Sequence, residues 1–173
     1  ASRSPLELRI LGSCEIYSPS KGAVRLRPTE AAVLAYLAEH SGRSISKKSL
    51  AAKFWEDIET RRGLRSLSQL LYQIRNKVPE LVGSFDGRHI RLENCTSDLS
   101  NLRLCAKEGR HFDVLQLYKG QLFEGETPGG STIHAWIDAV HVEITLALIQ
   151  AFETCSTGCN SPAEIEALRM AAD

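Results

Sequence analysis

Arginine, amide and hydroxyl side chains recur at helical spacing between Thr60 and Val78, where they could hydrogen-bond to DNA bases. At about 100° per residue, one stripe of this segment is aliphatic: Leu64, Leu67, Leu70, Leu71, Ile74 and Val78. The opposite stripe contains no acid. It consists of Arg62, Arg65, Gln69, Tyr72, Gln73 and Asn76, and Ser66 lies beside it. Guanidinium groups pair with guanine and amides with adenine in the major groove. The pattern predicts a DNA-recognition helix, although a solvated surface helix would also show it.

Basic residues before and after this segment could neutralise phosphates. The full set of candidate phosphate contacts is Lys47, Lys48, Arg61, Arg75, Lys77, Arg88 and Arg91. Two lysines follow Ser46 in the first turn of a predicted helix, where the helix dipole disfavours a positive charge. A nearby phosphate would explain them, and a plain solvated helix start would do so equally. The arginines at 88 and 91 sit on a predicted hairpin, whose alternative is likewise a solvated surface.

The elements that would position these residues follow a recognisable order. Strands are predicted at 6–11, 14–17 and 23–26, and helices from Thr29 (as N-cap) to Gly42, after Ser46, and over 60–78. A hairpin at 81–92 turns at Asp86-Gly87, which supplies the positive φ angles of a tight turn. Three strands, three helices and a hairpin are the order of a winged helix-turn-helix. Residues 4–94 are therefore expected to be an α+β domain with an N-terminal antiparallel sheet and a C-terminal hairpin.

Charge divides the 173-residue chain into two halves. Residues 1–94 contain 16 Lys and Arg against 10 Asp and Glu, whereas residues 95–173 contain 5 against 11. This asymmetry indicates two modules, of which the first faces a polyanion. Two ordinary domains with uneven charge are the alternative.

The first half resembles the OmpR/PhoB-type winged-helix DNA-binding domain, in the version found in Streptomyces antibiotic regulatory proteins (SARPs). The resemblance is carried by LRILGSCEI, by VRLRPTEAAVLAYLAEHSGRSISKKSLAAKFW and by LRSLSQLLYQIRNKV, within residues 6–92. It implies base or phosphate contacts from Arg62, Arg65, Ser66, Gln69 and Gln73, and backbone or structural roles for Arg75 and Lys77. Glu56-Asp57 departs from the family, in which Pro or Gly is common. In this superfamily the loop at that place can touch RNA polymerase.

The second half is expected to be all-α. Helical segments are predicted at about 97–108, 111–118 and 132–155, and their short connections suggest antiparallel hairpins of the TPR type. The run from Tyr118 to Leu122, with Gly125 and Trp136, resembles the start of a bacterial transcriptional activation domain. Residues 95–173 are therefore interpreted as a truncated TPR-like module. Residues 163–172 read as the start of a further helix, and the first residue is Ala rather than Met, so a longer parent chain is expected.

Other chemistry is not favoured. His134, Asp138 and His141 share a helix flank but lack a fourth metal ligand, and Cys155 and Cys159 show no further ligands either. No nucleophile elbow, phosphate-binding glycine loop or HExxH motif occurs, so neither an enzyme nor a cofactor is expected. Five cysteines without a repeating spacing, no signal peptide and no apolar run near 18 residues indicate reduced thiols, a cytoplasmic location and no membrane.

Together these patterns predict sequence-specific binding to double-stranded DNA by a bacterial transcriptional regulator. The helix at 60–78 would enter the major groove, and the wing at 81–92 would lie on the backbone. RNA polymerase and a second copy on repeated sites are further expected partners. The alternative from another class is a winged-helix and TPR-like protein–protein interaction module that does not bind DNA.

Overall fold

The computed structural model describes residues 5–81, 83–85, 87–158 and 170. The predicted turn residue Asp86, the thiol of Cys159 and nearly all of the expected helix at 163–172 lie outside these ranges.

The described residues form seven strands and six α-helices in an order that begins as predicted. In the first half they are β1 (Leu6–Arg9), β2 (Glu15–Ser18), β3 (Gly22–Arg25), α1 (Pro28–Glu39), β4 (Ile45–Ser46), α2 (Lys47–Phe54), α3 (Thr60–Lys77), β5 (Gly83–Ser84) and β6 (His89–Leu92). They continue with β7 (Cys95–Ser97), α4 (Asp98–Lys107), α5 (His111–Leu117), a 3₁₀ turn (Phe123–Gly125) and α6 (Ser131–Gly158). The α+β winged-helix class is confirmed, and the described second half is helical apart from the short strand β7.

The N-terminal sheet is the predicted antiparallel meander with one strand added. Strand β1 pairs with β2 and β2 with β3, while the alternating side chains of Leu6, Leu8 and Ile10 are buried. On its other edge β1 pairs in parallel with β7, so Leu6 faces Cys95. Sequence periodicity assigned residue 95 to the helical half, because a three-residue strand has too few positions to show alternation.

Helices α1, α2 and α3 pack through the faces that their spacing predicts. In α3 the buried residues are Gly63, Leu67, Leu70, Leu71 and Ile74. The Ser46 hydroxyl accepts a hydrogen bond from Ser49 N and caps α2 as expected. The predicted N-cap of α1 was wrong: the cap is Arg27, no side chain caps this end, and Pro28 starts the helix.

The wing is the antiparallel pair β5–β6, in which Gly83 faces Leu92. Strand β6 also pairs with the short strand β4, which places Ile45 opposite Ile90 and Ser46 opposite His89. This second pairing ties the wing to the start of α2, so the helix-turn-helix and the wing hold one another in place.

The second half packs directly on the first. The Asp98 carboxylate accepts hydrogen bonds from Ile10 N and Leu11 N at 3.0–3.1 Å and from Leu99 N at 2.9 Å. Burial raises the pKa of this carboxyl, against the lowering effect of those three donors. One continuous cluster of buried side chains runs from the N-terminal sheet to α6. The predicted domain boundary between 94 and 95 stays a prediction, and the chain on its two sides shares a core.

Close backbone contact between the halves depends on one glycine. Gly12 follows β1 with φ +88°, and its N–H donates to Gln121 O at 2.9 Å. A Cβ atom built on Gly12 would lie 2.7–2.9 Å from the Lys119 and Gly120 backbone, where no adjustment is available. Any other residue at position 12 would push the 119–123 segment away from the sheet.

Helix α6 is longer than the helix predicted at about 132–155, and it is more apolar than that prediction implied. Its segment Ser131–Thr157 reaches a mean hydropathy of 1.3 and is long enough to cross a membrane, by length and composition alone. One stripe of this helix is buried at Ile133, Ile137, Val140, Ile144 and Ala151, and is half-buried at Leu148. Arg103 of α4 pairs with Glu143 on this helix at 2.7 Å. One stripe of α6 therefore packs on the rest of the protein, whereas Val142, Leu146 and Ile149 on the helix are exposed.

Candidate nucleic-acid interface

The first half of α3 presents an exposed basic face. Arg61, Arg62, Arg65 and Gln69 are exposed, and the aliphatic stripe beneath them fixes the rotation of the helix. In the described part of the chain, no ion pair reaches any of the three arginines. Their guanidinium donors are therefore unoccupied, as an interface with a polyanion requires.

Most of the described arginines outside α3 are paired. Among the described residues, six have a carboxylate partner within 4 Å: Arg9, Arg25, Arg27, Arg91, Arg103 and Arg110. Arg75 stacks on the Phe85 ring, with 5.6 Å from guanidinium carbon to ring centroid. The described arginines without an acid partner are Arg43, Arg61, Arg62, Arg65 and Arg88, which lie before α2, on α3 and beside the wing. Uncompensated guanidinium groups thus concentrate on one part of the molecule.

Two of the predicted base contacts lie on the flank of α3 that turns toward α1. Ser66 and Gln73 are half-buried and, with Gln69, line a small niche next to Arg27 and Trp55. The Gln73 amide oxygen accepts a hydrogen bond from the Arg27 guanidinium. Gln73 is therefore occupied within the protein, whereas Gln69 also reaches the outer face.

Lys77 supports the fold. Its ammonium group lies 2.9 Å from both carboxylate oxygens of Glu30, a residue with no exposed surface. The Arg27 guanidinium approaches the same carboxylate at 2.5 Å. Two cations thus compensate one buried anion, which would otherwise be costly to bury. Of the two roles that the sequence left open for Lys77, this geometry favours the structural one.

A cleft of about 580 Å³ separates the second half of α3 from the wing. Its walls carry three hydrogen-bonding side chains that are not among the predicted DNA contacts, namely Ser68, Tyr72 and Asn76. The predicted phosphate contacts Lys47 and Arg75 line it as well. The Tyr72 side chain is 68% exposed although it is aromatic. Tyr72 and Asn76 already stood on the outer stripe in sequence. Which side of that stripe would face the wing could be read only from the three-dimensional packing.

The remaining basic candidates lie at the start of α2 and on the wing. Lys48 and Arg88 are exposed, and the Lys47 backbone N–H donates to Arg88 O at 2.9 Å. Arg91 is exposed but pairs with Glu93 on the same strand. The start of α2, the wing and α3 therefore meet around Lys47. This arrangement offers phosphate contacts on both sides of a helix that could enter a groove.

Other candidate chemistry finds no support in the described residues. Nowhere in the ranges the structure describes do three or more His, Cys, Asp or Glu side chains converge to hold a metal ion. The His134 ring is instead hydrogen-bonded to Thr127 O at 2.9 Å. Burial raises the pKa of Cys14 to about 11 and that of Cys95 to about 12, so these thiols stay protonated and unreactive at neutral pH.

Comparison with known proteins agrees with this geometry. Residues 21–92 match the family described as transcriptional regulatory protein, C terminal. No curated protein sequence matches the chain significantly. A solved structure of Mycobacterium tuberculosis EmbR in complex with a low affinity phosphopeptide is similar, with a TM-score of 0.59 and 21% identity over 96% of this chain.

At that identity the similarity to EmbR shows the fold alone, and this chain spans half the length of the EmbR chain. The family match runs from the turn before β3 to the end of the wing, and includes every predicted DNA contact. Residues 21–92, less than half of the chain, therefore match the family of OmpR/PhoB-type winged-helix DNA-binding domains of transcriptional regulators, and the chain around them has the fold seen in EmbR.

Proposed function

We propose that this protein binds specific double-stranded DNA sequences as part of a bacterial transcriptional regulator acting in the cytoplasm. Helix α3 enters the major groove, and the wing and the start of α2 contact the flanking phosphates. The observation that carries this proposal is the location of the uncompensated arginines. Arg61, Arg62, Arg65 and Arg88 lie on α3 and beside the wing, and Arg43 precedes α2, whereas six of the other described arginines are neutralised by acids.

We assign base reading to the exposed residues of α3. Arg62, Arg65 and Gln69 are free to reach base edges, where a good bidentate contact contributes about 1–3 kcal/mol of discrimination. Ser66 and Gln73, which face α1, have a smaller share, and Tyr72 and Asn76 join the set from the wing side. Lys47, Lys48, Arg61, Arg88 and Arg91 contact phosphates. Arg75 and Lys77, which have partners inside the protein, position α3.

Two further partners follow from the resemblance to winged-helix regulators. RNA polymerase would meet the exposed turn between α2 and α3, and a second copy would occupy a repeated DNA half-site. Both belong to the proposal. A pure protein-interaction module remains the competing function, and it predicts no affinity for duplex DNA even at low salt.

Selection from a randomised duplex pool tests the proposal. The purified protein is incubated with the pool at moderate salt, and bound DNA is sequenced over successive rounds. The proposal predicts enrichment of one motif. The control protein carries Arg62→Ala and Arg65→Ala together and should enrich it weakly or not at all. Retention of DNA without any enriched motif would reduce the function to non-specific binding, and no retention would reject DNA binding.

A further inference from the structure

The turn between α2 and α3 is fastened to the second half of the chain. The Glu56 carboxylate accepts hydrogen bonds from Ser131 N at 2.8 Å and from Ser131 Oγ at 2.9 Å. Ser131 is the first residue of α6, so Glu56 supplies an acidic cap to a helix 75 positions away in sequence. The backbone hydrogen bond from Ser131 is the main reason that the pKa of Glu56 is lowered.

A second hydrogen bond between the two halves lies beside the one from Ser131 to Glu56. The Gly130 N–H donates to Lys53 O at 3.0 Å, in the last turn of α2. A Cβ atom on residue 130 would lie 2.5–2.6 Å from the Glu56 carboxyl group. Glycine at 130 therefore leaves the space in which Glu56 reaches Ser131. Lys53 in turn donates from Nζ to the Tyr36 hydroxyl at 2.8 Å, which connects α2 to α1.

These contacts act on the segment that begins α3. Residue 56 lies four positions before Thr60, where α3 starts, and Glu59 at its N-cap forms no side-chain capping bond. The first turn of α3 carries Arg61 and Arg62 but has only Gly63 among its deeply buried residues. The path of the 55–59 turn therefore helps to set where these guanidinium groups stand. Hydrogen bonds to base edges tolerate errors of only a few tenths of an ångström.

We propose that Glu56 is a positioning residue for DNA recognition. Through its cap on α6 it fixes the turn before α3, so that the helical second half sets the accuracy of base reading by the winged helix. This inference rests on the proposed DNA-binding function. It also gives a reason for an acid at position 56, close to a surface that otherwise favours positive charge.

Equilibrium binding of the whole 173-residue protein to two duplexes of equal length tests this inference. One duplex carries the selected motif and the other is random, and each is titrated with salt at a temperature where every variant is fully folded. Glu56→Ala should weaken binding to the motif by roughly 2- to 30-fold, the range for changes remote from a ligand. Its affinity for random DNA and its salt slope should not fall, because no phosphate contact is lost.

The matched control is Asp57→Ala, which removes the same charge one residue further along. In the described part of the chain Asp57 has no hydrogen bond or ion pair. The specificity ratio of Asp57→Ala, its affinity for the motif divided by its affinity for random DNA, should therefore equal that of the unmodified protein. Glu56→Gln should restore part of the ratio, because the amide oxygen still accepts one bond from Ser131. Gly130→Ala should reproduce the loss by displacing the Glu56 carboxyl group.

A specificity ratio unchanged by Glu56→Ala would overturn the inference, as would an equal loss on both duplexes. A lower specificity ratio in Asp57→Ala would also overturn the inference. The effect would then come from the loss of a negative charge in the turn and not from the hydrogen bonds between Glu56 and Ser131. If the unmodified protein binds neither duplex, the proposed function itself fails and the inference falls with it.

Discussion

At the scale of single residues, the polar side chains of α3 differ in whether a distant residue of the protein already contacts them. The arginines at 62 and 65 and Gln69 are exposed on α3 as their spacing predicts, because helical periodicity alone decides which face points outward. Gln73 and Lys77 satisfy the same periodicity, but their partners lie 46 and 47 positions away at Arg27 and Glu30. Such pairs could not be predicted from spacing within one helix.

Arg65→Ala should reduce affinity for the selected motif more than affinity for random DNA. The extra loss should be about 1–3 kcal/mol, the contribution of one bidentate base contact. Fluorescence anisotropy with both duplexes measures the difference. Arg110→Ala is the control, because it removes the same charge from the residue before α5, where the guanidinium pairs with Glu108 at 2.8 Å. An equal loss on both duplexes would assign Arg65 to phosphate contact.

Lys77→Met and Lys48→Met should have opposite consequences although each removes one positive charge. Lys77→Met leaves buried Glu30 with Arg27 alone, and should lower the free energy of unfolding by about 1–3 kcal/mol. Its salt slope for DNA binding should be unchanged. Lys48→Met should leave stability unaltered and reduce the magnitude of the slope by about 0.9. Urea denaturation and salt titration give both quantities, and the reverse pattern would show Lys77 to be the phosphate contact.

At the scale of elements, the helices, the N-terminal meander and the wing were predictable, and the strands β4 and β7 were not. Helix α3 was expected over 60–78 and is found over Thr60–Lys77, because its apolar stripe is long and regular. Strands β4 and β7 contain two and three residues, and each is defined by a partner strand about 45 or 90 positions away. These two strands join α2 to the wing and the second half to the sheet. The two strands that the sequence did not predict are therefore among the elements that hold the candidate site together.

Asp98 is the first residue of α4, a helix of only ten residues. Asp98→Ala should nevertheless be strongly destabilising for the protein. The substitution leaves the buried N–H groups of Ile10 and Leu11 without an acceptor, at about 1–3 kcal/mol each. Chemical denaturation monitored by circular dichroism should show a total loss of unfolding free energy of about 2–6 kcal/mol. The control Asp113→Ala removes a carboxylate that pairs with Arg110 at 3.6 Å on the surface, and should cost less than about 1 kcal/mol. A cost for Asp98→Ala as small as that of the control would show that these donors are satisfied in another way.

At the scale of the whole molecule, a basic half and an acidic half share one core. Arg103 of α4 bridges Glu39 of α1 at 2.6 Å and Glu143 of α6 at 2.7 Å, and Trp136 donates to the other Glu39 oxygen at 2.6 Å. Charge composition predicted two modules but could not reveal this contact, because it depends on residues up to 97 positions apart. Glu124 of the second half likewise pairs with Arg25 of β3 at 3.0 Å, so charges of opposite sign compensate one another where the two halves meet.

Because the core is continuous, both halves should unfold in a single transition. Trp55→Phe leaves Trp136 as the fluorescent reporter, and Trp136→Phe leaves Trp55. The two variants should each show a fluorescence midpoint in urea that coincides with their own midpoint by far-ultraviolet circular dichroism. A second, separated transition in either variant would indicate that residues 95–158 unfold independently.

The salt dependence of binding to random duplex DNA tests the central claim most directly. With five phosphate contacts, the logarithm of the association constant should fall linearly with the logarithm of salt concentration, with a slope of about −4 to −5. Arg61→Ala with Lys48→Ala should bring that slope about two units closer to zero. Absence of binding at the lowest salt, or a slope that is zero or unaffected by the double substitution, would contradict the account.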